Sequence, residues 1–154
     1  MISIVIIVKN DRGIKDTLNK LESIKKPSAI EIIVVDASEK NQLIDIKNKY
    51  PKVKWITYES NKNKDTRPEQ RNIGIKKAKG EIMVFIDASC TPLDNWLEEI
   101  VKPFKKENEN FVAGLVKAKK GVSVHDVGWQ KRSNKKYIKD CPTMNFAFRE
   151  SLIK

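Results

Sequence analysis

Two cysteines, Cys90 and Cys141, are too few for a disulfide framework. One histidine, His125, rules out the Cys and His patterns of a structural zinc site. No apolar run nears the ~20 residues of a membrane-spanning helix. The opening MISIVIIVKND lacks basic residues ahead of its apolar stretch, so it reads as a strand and not a signal peptide. Aromatics make up 7% of the chain and are scattered, unlike the interleaved aromatic and basic residues of RNA-binding domains. There is no glycine-rich phosphate loop: KNDRGIKD after the first apolar run holds only Gly13. With so little cysteine, a reducing cytoplasm is the expected compartment.

What is present is 154 residues, 40% apolar, with a net charge of +11 carried mostly by lysine. That length is one domain's worth and enough to bury a core. A basic surface attracts nucleic acid, anionic lipid or phosphorylated small molecules. The lysines are spread along the chain and not blocked, so a lysine-rich composition explains the charge equally well. No specific nucleic acid is expected as a partner.

Elements alternate along the chain. The run at 3–8 (SIVIIV) and that at 31–36 (EIIVVD) are continuous and β-branched, as strands covered on both faces are. Between them, Ile14, Leu18, Leu21 and Ile24 share a helical face that Asp11 is placed to cap and Pro27 to end. A short helix over NQLIDIKNKY stops at Pro51, and VKWITYE at 53–59 suits a third strand near an edge. Pro68 suits the first turn of a helix reaching about Ala78, closed by Gly80. EIMVFID is a fourth strand, and PLDNWLEEIVKPFKK a helix with Trp96, Leu97, Ile100, Val101 and Phe104 on one face. Pro103 predicts a kink or an end in that helix. FVAGLVKA reads as a fifth strand, and MNFAFRESLIK as the start of a final helix.

Strand–helix alternation predicts a Rossmann-like α/β fold, a mostly parallel sheet with helices on both faces. Right-handed crossovers favour the order 3-2-1-4 for the first four strands, and ligands bind at the carboxyl ends beside such a switch point. There the sequence places Lys9-Asn10-Asp11, Asp36-Ala37-Ser38 and Asp87-Ala88-Ser89. Strand ends are often polar, which explains either aspartate alone; two at the exits of neighbouring apolar strands suggest a site.

The segments SIVIIVKND, EIIVVDAS, RPEQRNIGIKKAKGEIMVFIDASCTPLDNWLE and TMNFAFRESLI, in that order, resemble the inverting family 2 glycosyltransferases, which have the GT-A fold. The likeness covers residues 3–101 and returns at 143–153. It implies a single nucleotide-diphospho-sugar-binding domain over 1–154, with a donor-binding core at 1–119 and a partial acceptor-side segment at 120–154. It implies a donor, often UDP-linked, and a divalent metal, Mg²⁺ or Mn²⁺. Val8, Lys9 and Asn10 would line the nucleoside pocket, and Asp36 would accept the N–H of the base. Arg67 in the loop and Arg71 in the helix after it would approach base and diphosphate, with Asn72 ordering the helix start and Gly74 allowing the helix to pack closely. Asp87 is the first aspartate of the family's D-x-D, whose last aspartate is here Ser89. A hydroxyl is a weaker ligand than a carboxylate, so the resemblance implies a weakened metal site. Asp94 reads as a helix cap and Cys90 as a buried filler.

TMNFAFRE resembles the acceptor side, with Asn145 facing the pocket and Phe146 and Phe148 in the core. Arg149 is left as either a phosphate-binding or a surface group. The family's carboxylate base lies downstream of this segment. His125, Asp126 and Asp140 do not match its motif, so no catalytic residue is assigned. The expected function is transfer of a sugar to an unknown sugar, lipid or protein acceptor, at the cytoplasmic face of a membrane if the acceptor is lipid-linked. The alternatives are a shortened or non-catalytic nucleotide-sugar-binding domain and, on charge alone, a basic nucleic-acid-binding domain.

Overall fold

The most apolar strands lie at the centre of the sheet, where both faces are covered. The computed structural model describes residues 1–59, 67–106, 109–117 and 143–153. His125, Asp126, Asp140 and Cys141 lie outside them. In chain order the elements are β1 (Ile2–Val8), α1 (Ile14–Ser23), β2 (Ile30–Asp36), α2 (Ile44–Lys49), β3 (Lys54–Thr57) and α3 (Arg67–Lys77). Then follow β4 (Ile82–Ile86), α4 (Trp96–Lys106), β5 (Phe111–Ala113), β6 (Asn145–Arg149) and a 3₁₀ turn (Glu150–Leu152).

Among the described residues one sheet has the order β3-β2-β1-β4-β6-β5. The expected 3-2-1-4 arrangement of the first four strands is present, all parallel, with Val8 opposite Asp36 and Val5 opposite Phe85. Side-chain alternation splits the core into two layers. Ile2, Ile4, Ile6 and Val8 of β1 pack with Ile14, Leu18 and Leu21 of α1 and Leu97, Ile100, Val101 and Phe104 of α4. On the other face Val5, Met83, Phe85, Phe146 and Phe148 pack against Ile75 of α3. Gly74 lets α3 sit directly on β1: a Cβ there would stand 2.3 Å from Val5 Cγ1.

Three expectations change. First, 145–149 is a strand, not a helix start. Asn145, Ala147 and Arg149 alternate with Phe146 and Phe148, the period of a strand. β6 pairs antiparallel with β4 and β5, and its phenylalanines stack on Phe85, with ring centroids 4.6 Å apart for Phe85 and Phe146. Only the Glu150–Leu152 turn is helical.

Second, of the kink or end expected at Pro103, the end is not there: α4 runs on to Lys106. Its last turn is held by Arg149, whose Nη2 donates to the Phe104 carbonyl at 2.5 Å and whose Nε donates to that of Glu109 at 3.2 Å. Arg149 thus serves neither of the roles left open for it; a cation at a helix C-terminus meets unpaired carbonyls and the negative end of the dipole.

Third, two aspartates do not cap helices. Gly13 is the N-cap residue of α1, and Asp11 Oδ1 accepts the Gly13 N–H at 2.8 Å, closing the turn before the helix. Asp94 accepts from Lys20 Nζ at 2.5 Å, tying α1 to the start of α4.

Candidate donor-binding site

The same tripeptide, Asp-Ala-Ser, leaves β2 at 36–38 and β4 at 87–89, on either side of β1. The fold holds the two differently.

At the first, the Ser38 N–H donates to Asp36 Oδ1 at 2.8 Å, leaving carboxylate lone pairs for a ligand. Ser38 Oγ accepts the Asn10 N–H at 2.8 Å, and Asn10 Oδ1 accepts the Glu39 N–H at 2.9 Å. Asn10 adopts φ 55°, a left-handed backbone that asparagine tolerates better than most side chains. The exits of β1 and β2 are therefore laced into one rim. Val8 points its side chain into the core, and its carbonyl accepts from the Ala37 N–H at 2.9 Å. Lys9 is exposed. The sequence placed Ser38 at this crevice but gave it no role; the structure shows it tying the end of β2 to that of β1.

At the second, Asp87 is half-buried. Burial pushes its carboxyl pKa up, while the positive charges of Arg71 and, less strongly, Arg67 pull it back down. Arg71 comes from α3, as the sequence suggested, and Arg67, expected in the loop before that helix, is its first residue. Arg71 Nη2 also donates to Thr143 Oγ1 at 2.8 Å, joining α3 to the approach to β6. Ser89 is exposed beside Asp87. The Cys90 N–H donates to the Asp87 carbonyl at 3.1 Å, closing a turn. Burial first, and then the Asp87 charge, raise the Cys90 thiol pKa, so its sulfur stays protonated and weakly nucleophilic. Below the turn, Thr17 Oγ1 lies 2.6 Å from the Ala88 carbonyl and 2.8 Å from that of Cys90. Thr17 went unnoticed, because a threonine in a helix carries no pattern of its own.

Asn145 lies opposite Ile86 in the ladder, one residue from Asp87. Its side chain is buried and committed: Oδ1 accepts from Trp96 Nε1 at 2.9 Å and Nδ2 donates to the Leu115 carbonyl at 2.9 Å. The amide expected to face the pocket is instead spent on linking Trp96 of α4 to the backbone at Leu115. Asn72 is exposed and lines a groove of about 340 Å³ with Ile75, Lys76, Met83 and Glu150.

Among the described residues no three His, Cys, Asp or Glu side chains group closely enough to cage a metal. Asp87 and Ser89 offer one carboxylate and one hydroxyl. Such a donor set fits a hard cation that is shared with phosphate oxygens, the usual way Mg²⁺ is held.

A mostly parallel sheet with carboxylates at the switch point and arginines facing one of them defines the class: a GT-A-type glycosyltransferase fold. The family model of Glycosyl transferase family 2 matches residues 3–151, and the chain belongs to that family. It is 30% identical over 117 residues to the probable N-acetylgalactosaminyltransferase 7 of Caenorhabditis elegans, covering 68% of this chain and 19% of that one. Among solved structures it is similar to S. aureus TarS 1–349 in complex with UDP-GlcNAc, with a TM-score of 0.78 at 21% identity over 99% of this chain and 46% of that one. It is also similar to the mannosyltransferase PcManGT of Pyrobaculum calidifontis in complex with GDP-Man and Mn²⁺, with a TM-score of 0.74 at 18% identity over 99% and 45%. The chain spans less than half the length of each.

Proposed function

We propose that this chain is the donor-binding part of an inverting glycosyltransferase that takes a sugar from a nucleotide-diphospho-sugar, UDP-linked, to a hydroxyl of a sugar, lipid or protein acceptor. The observation that carries the reading is the half-buried Asp87 at the exit of β4, faced by Arg71 and Arg67. A carboxylate desolvated beside cations and a hydroxyl suits a bound metal diphosphate better than open water. Asp36, on the far side of β1, offers an acceptor to the base, and Lys9, Asn10 and the Val8 backbone line the approach. Asn72 contributes through α3, without direct contact. Proteins of similar fold have been solved with UDP-GlcNAc and with GDP-Man and Mn²⁺, which supports a nucleotide-sugar donor and a divalent ion here.

In this reading Asp87 and Ser89 hold Mg²⁺ or Mn²⁺ against the diphosphate, and Arg71 and Arg67 add charge-assisted donors. A bound metal ion neutralises the charge that builds on the departing nucleotide. The acceptor is expected at the side of Asn145, whose amide fixes Trp96. A lysine-rich surface suits work at the inner face of a membrane carrying anionic lipid. Ser89 in place of a carboxylate favours a second reading, a nucleotide-sugar-binding domain with no transfer of its own.

Thermal-shift titration with UDP, GDP and their sugars, with and without Mn²⁺, tests the reading. Metal-dependent stabilisation by a uridine diphosphate supports it, and no stabilisation by any of them removes it. Transfer to an acceptor or to water, lost in Asp87→Ala, separates the enzyme from the binding domain.

A further inference from the structure

We propose that Thr17 is a positioning residue whose buried hydroxyl fixes the turn carrying Asp87 and Ser89, and through it the metal-binding geometry; the metal clause rests on the function proposed above. Thr17 is 1% exposed and sits in the second turn of α1, on a different element from either ligand. Its Oγ1 is 2.6 Å from the Ala88 carbonyl, 2.8 Å from that of Cys90 and 3.5 Å from that of Gly13. A hydroxyl has one proton, so it donates to one carbonyl at a time, the Ala88 oxygen being nearest. The Ala88 and Cys90 carbonyls bracket Ser89, so one hydroxyl lies within donating distance of the backbone on both sides of it.

The start of α1 adds a constraint. A Cβ added to Gly13 would stand 3.4 Å from both Cα and Cβ of Ser89, so only a residue without a side chain leaves that space open at the start of the helix. Ser89 thus lies close over the start of α1 and is itself exposed. The arrangement matters most for a weak ligand. A carboxylate binds a cation strongly enough to draw itself into place; a serine hydroxyl contributes only if it is already placed.

Cys90 provides a reporter that needs no nucleotide. It is half-buried, and its N–H closes the turn on the Asp87 carbonyl. The experiment measures native-state alkylation of Cys90 by iodoacetamide, with the site resolved by mass spectrometry, in the wild type, Thr17→Val, Thr17→Ala and Thr17→Ser. Loss of the hydroxyl is expected to speed Cys90 labelling by about tenfold, the effect of one buried hydrogen bond, while Thr17→Ser stays near the wild type. Thr17→Ala serves if the second methyl of valine, set against two carbonyls, prevents folding. Leu21→Val, a cavity elsewhere on α1, is expected to lower the Tm without changing Cys90 labelling.

UDP affinity is then compared in Mn²⁺ and in EDTA. Thr17→Val or Thr17→Ala is expected to lose severalfold in Mn²⁺ and little in EDTA. Unchanged Cys90 labelling in the hydroxyl-free variants, or labelling in Thr17→Ser as fast as in Thr17→Ala, overturns the placement of the turn by this hydroxyl. Faster labelling with an unaltered Mn²⁺-dependent affinity overturns the link to metal. A wild type that does not bind UDP at all refutes the proposed function and with it the metal clause, and Cys90 labelling still decides the rest.

Discussion

A methyl group at position 74 would stand 2.3 Å from Cγ1 of Val5, closer than carbon atoms pack. The neighbour is a β-branched side chain in the central strand, with no flexible end to move aside. Alanine is better than glycine in a helix by about 1 kcal/mol. Overpacking costs about 1–3 kcal/mol. Gly74→Ala is therefore expected to destabilise the fold by up to about 2 kcal/mol and to lower the Tm by several degrees. Because α3 carries Arg67 and Arg71, nucleotide affinity falls with it. Calorimetry and a UDP titration check both.

The sign of the Asp87 effect on stability follows from its raised pKa. Its folded-state value lies above the unfolded one, so its favourable contribution is complete below the unfolded pKa and is lost as pH rises through the folded value. At neutral pH the ionised, desolvated carboxylate costs stability. Asp87→Asn is expected to raise the Tm of the ligand-free protein by about 2–4 °C at pH 7. The gap should close as pH falls below about 4. Thermal melts of both proteins across pH 3.5–8 measure it; a less stable Asp87→Asn at pH 7 would contradict the account. Metal-dependent nucleotide binding, which needs the ionised form, should weaken over the same fall in pH.

Arg71→Ala removes a charge facing Asp87 and a donor to Thr143. A hydrogen bond to a charged group contributes about 1.5–3 kcal/mol. UDP affinity is expected to drop at least about tenfold, with Arg71→Lys intermediate because an ammonium cannot fork across two phosphate oxygens. Titration calorimetry of the three proteins gives the order.

Asn145→Ala leaves the Trp96 Nε1–H and the Leu115 carbonyl without their partner. The expected cost is about 1–3 kcal/mol. Trp96 fluorescence should shift to the red as water reaches the indole. A variant with unchanged stability and fluorescence would return Asn145 to a ligand-facing role.

β1, β2 and β4 were legible because a strand covered on both faces writes a continuous apolar run into the chain, as at Ile4 to Val8, and β3 because an edge strand alternates. Asp36 and Asp87 were legible for the same reason, as the polar residues that end such runs. β6 was not. Its five residues form a strand only because β4 and β5 flank it, and pairing across 60 residues leaves no local trace. The alternation of Phe146 and Phe148 was the one clue, outweighed by the polar residues that follow. Thr17, Ser38 and Arg149 act through backbone carbonyls and amides of distant segments, contacts that residue type does not encode.

The central claim is that Asp87 anchors a metal diphosphate. Titration of UDP into the wild type and Asp87→Asn, each in Mn²⁺ and in EDTA, tests it most directly. The account predicts that Mn²⁺ strengthens UDP binding to the wild type by at least about tenfold, and that Asp87→Asn, folded and no less stable, loses that gain. Equal Mn²⁺ enhancement in both proteins, or no UDP binding to either, would contradict it.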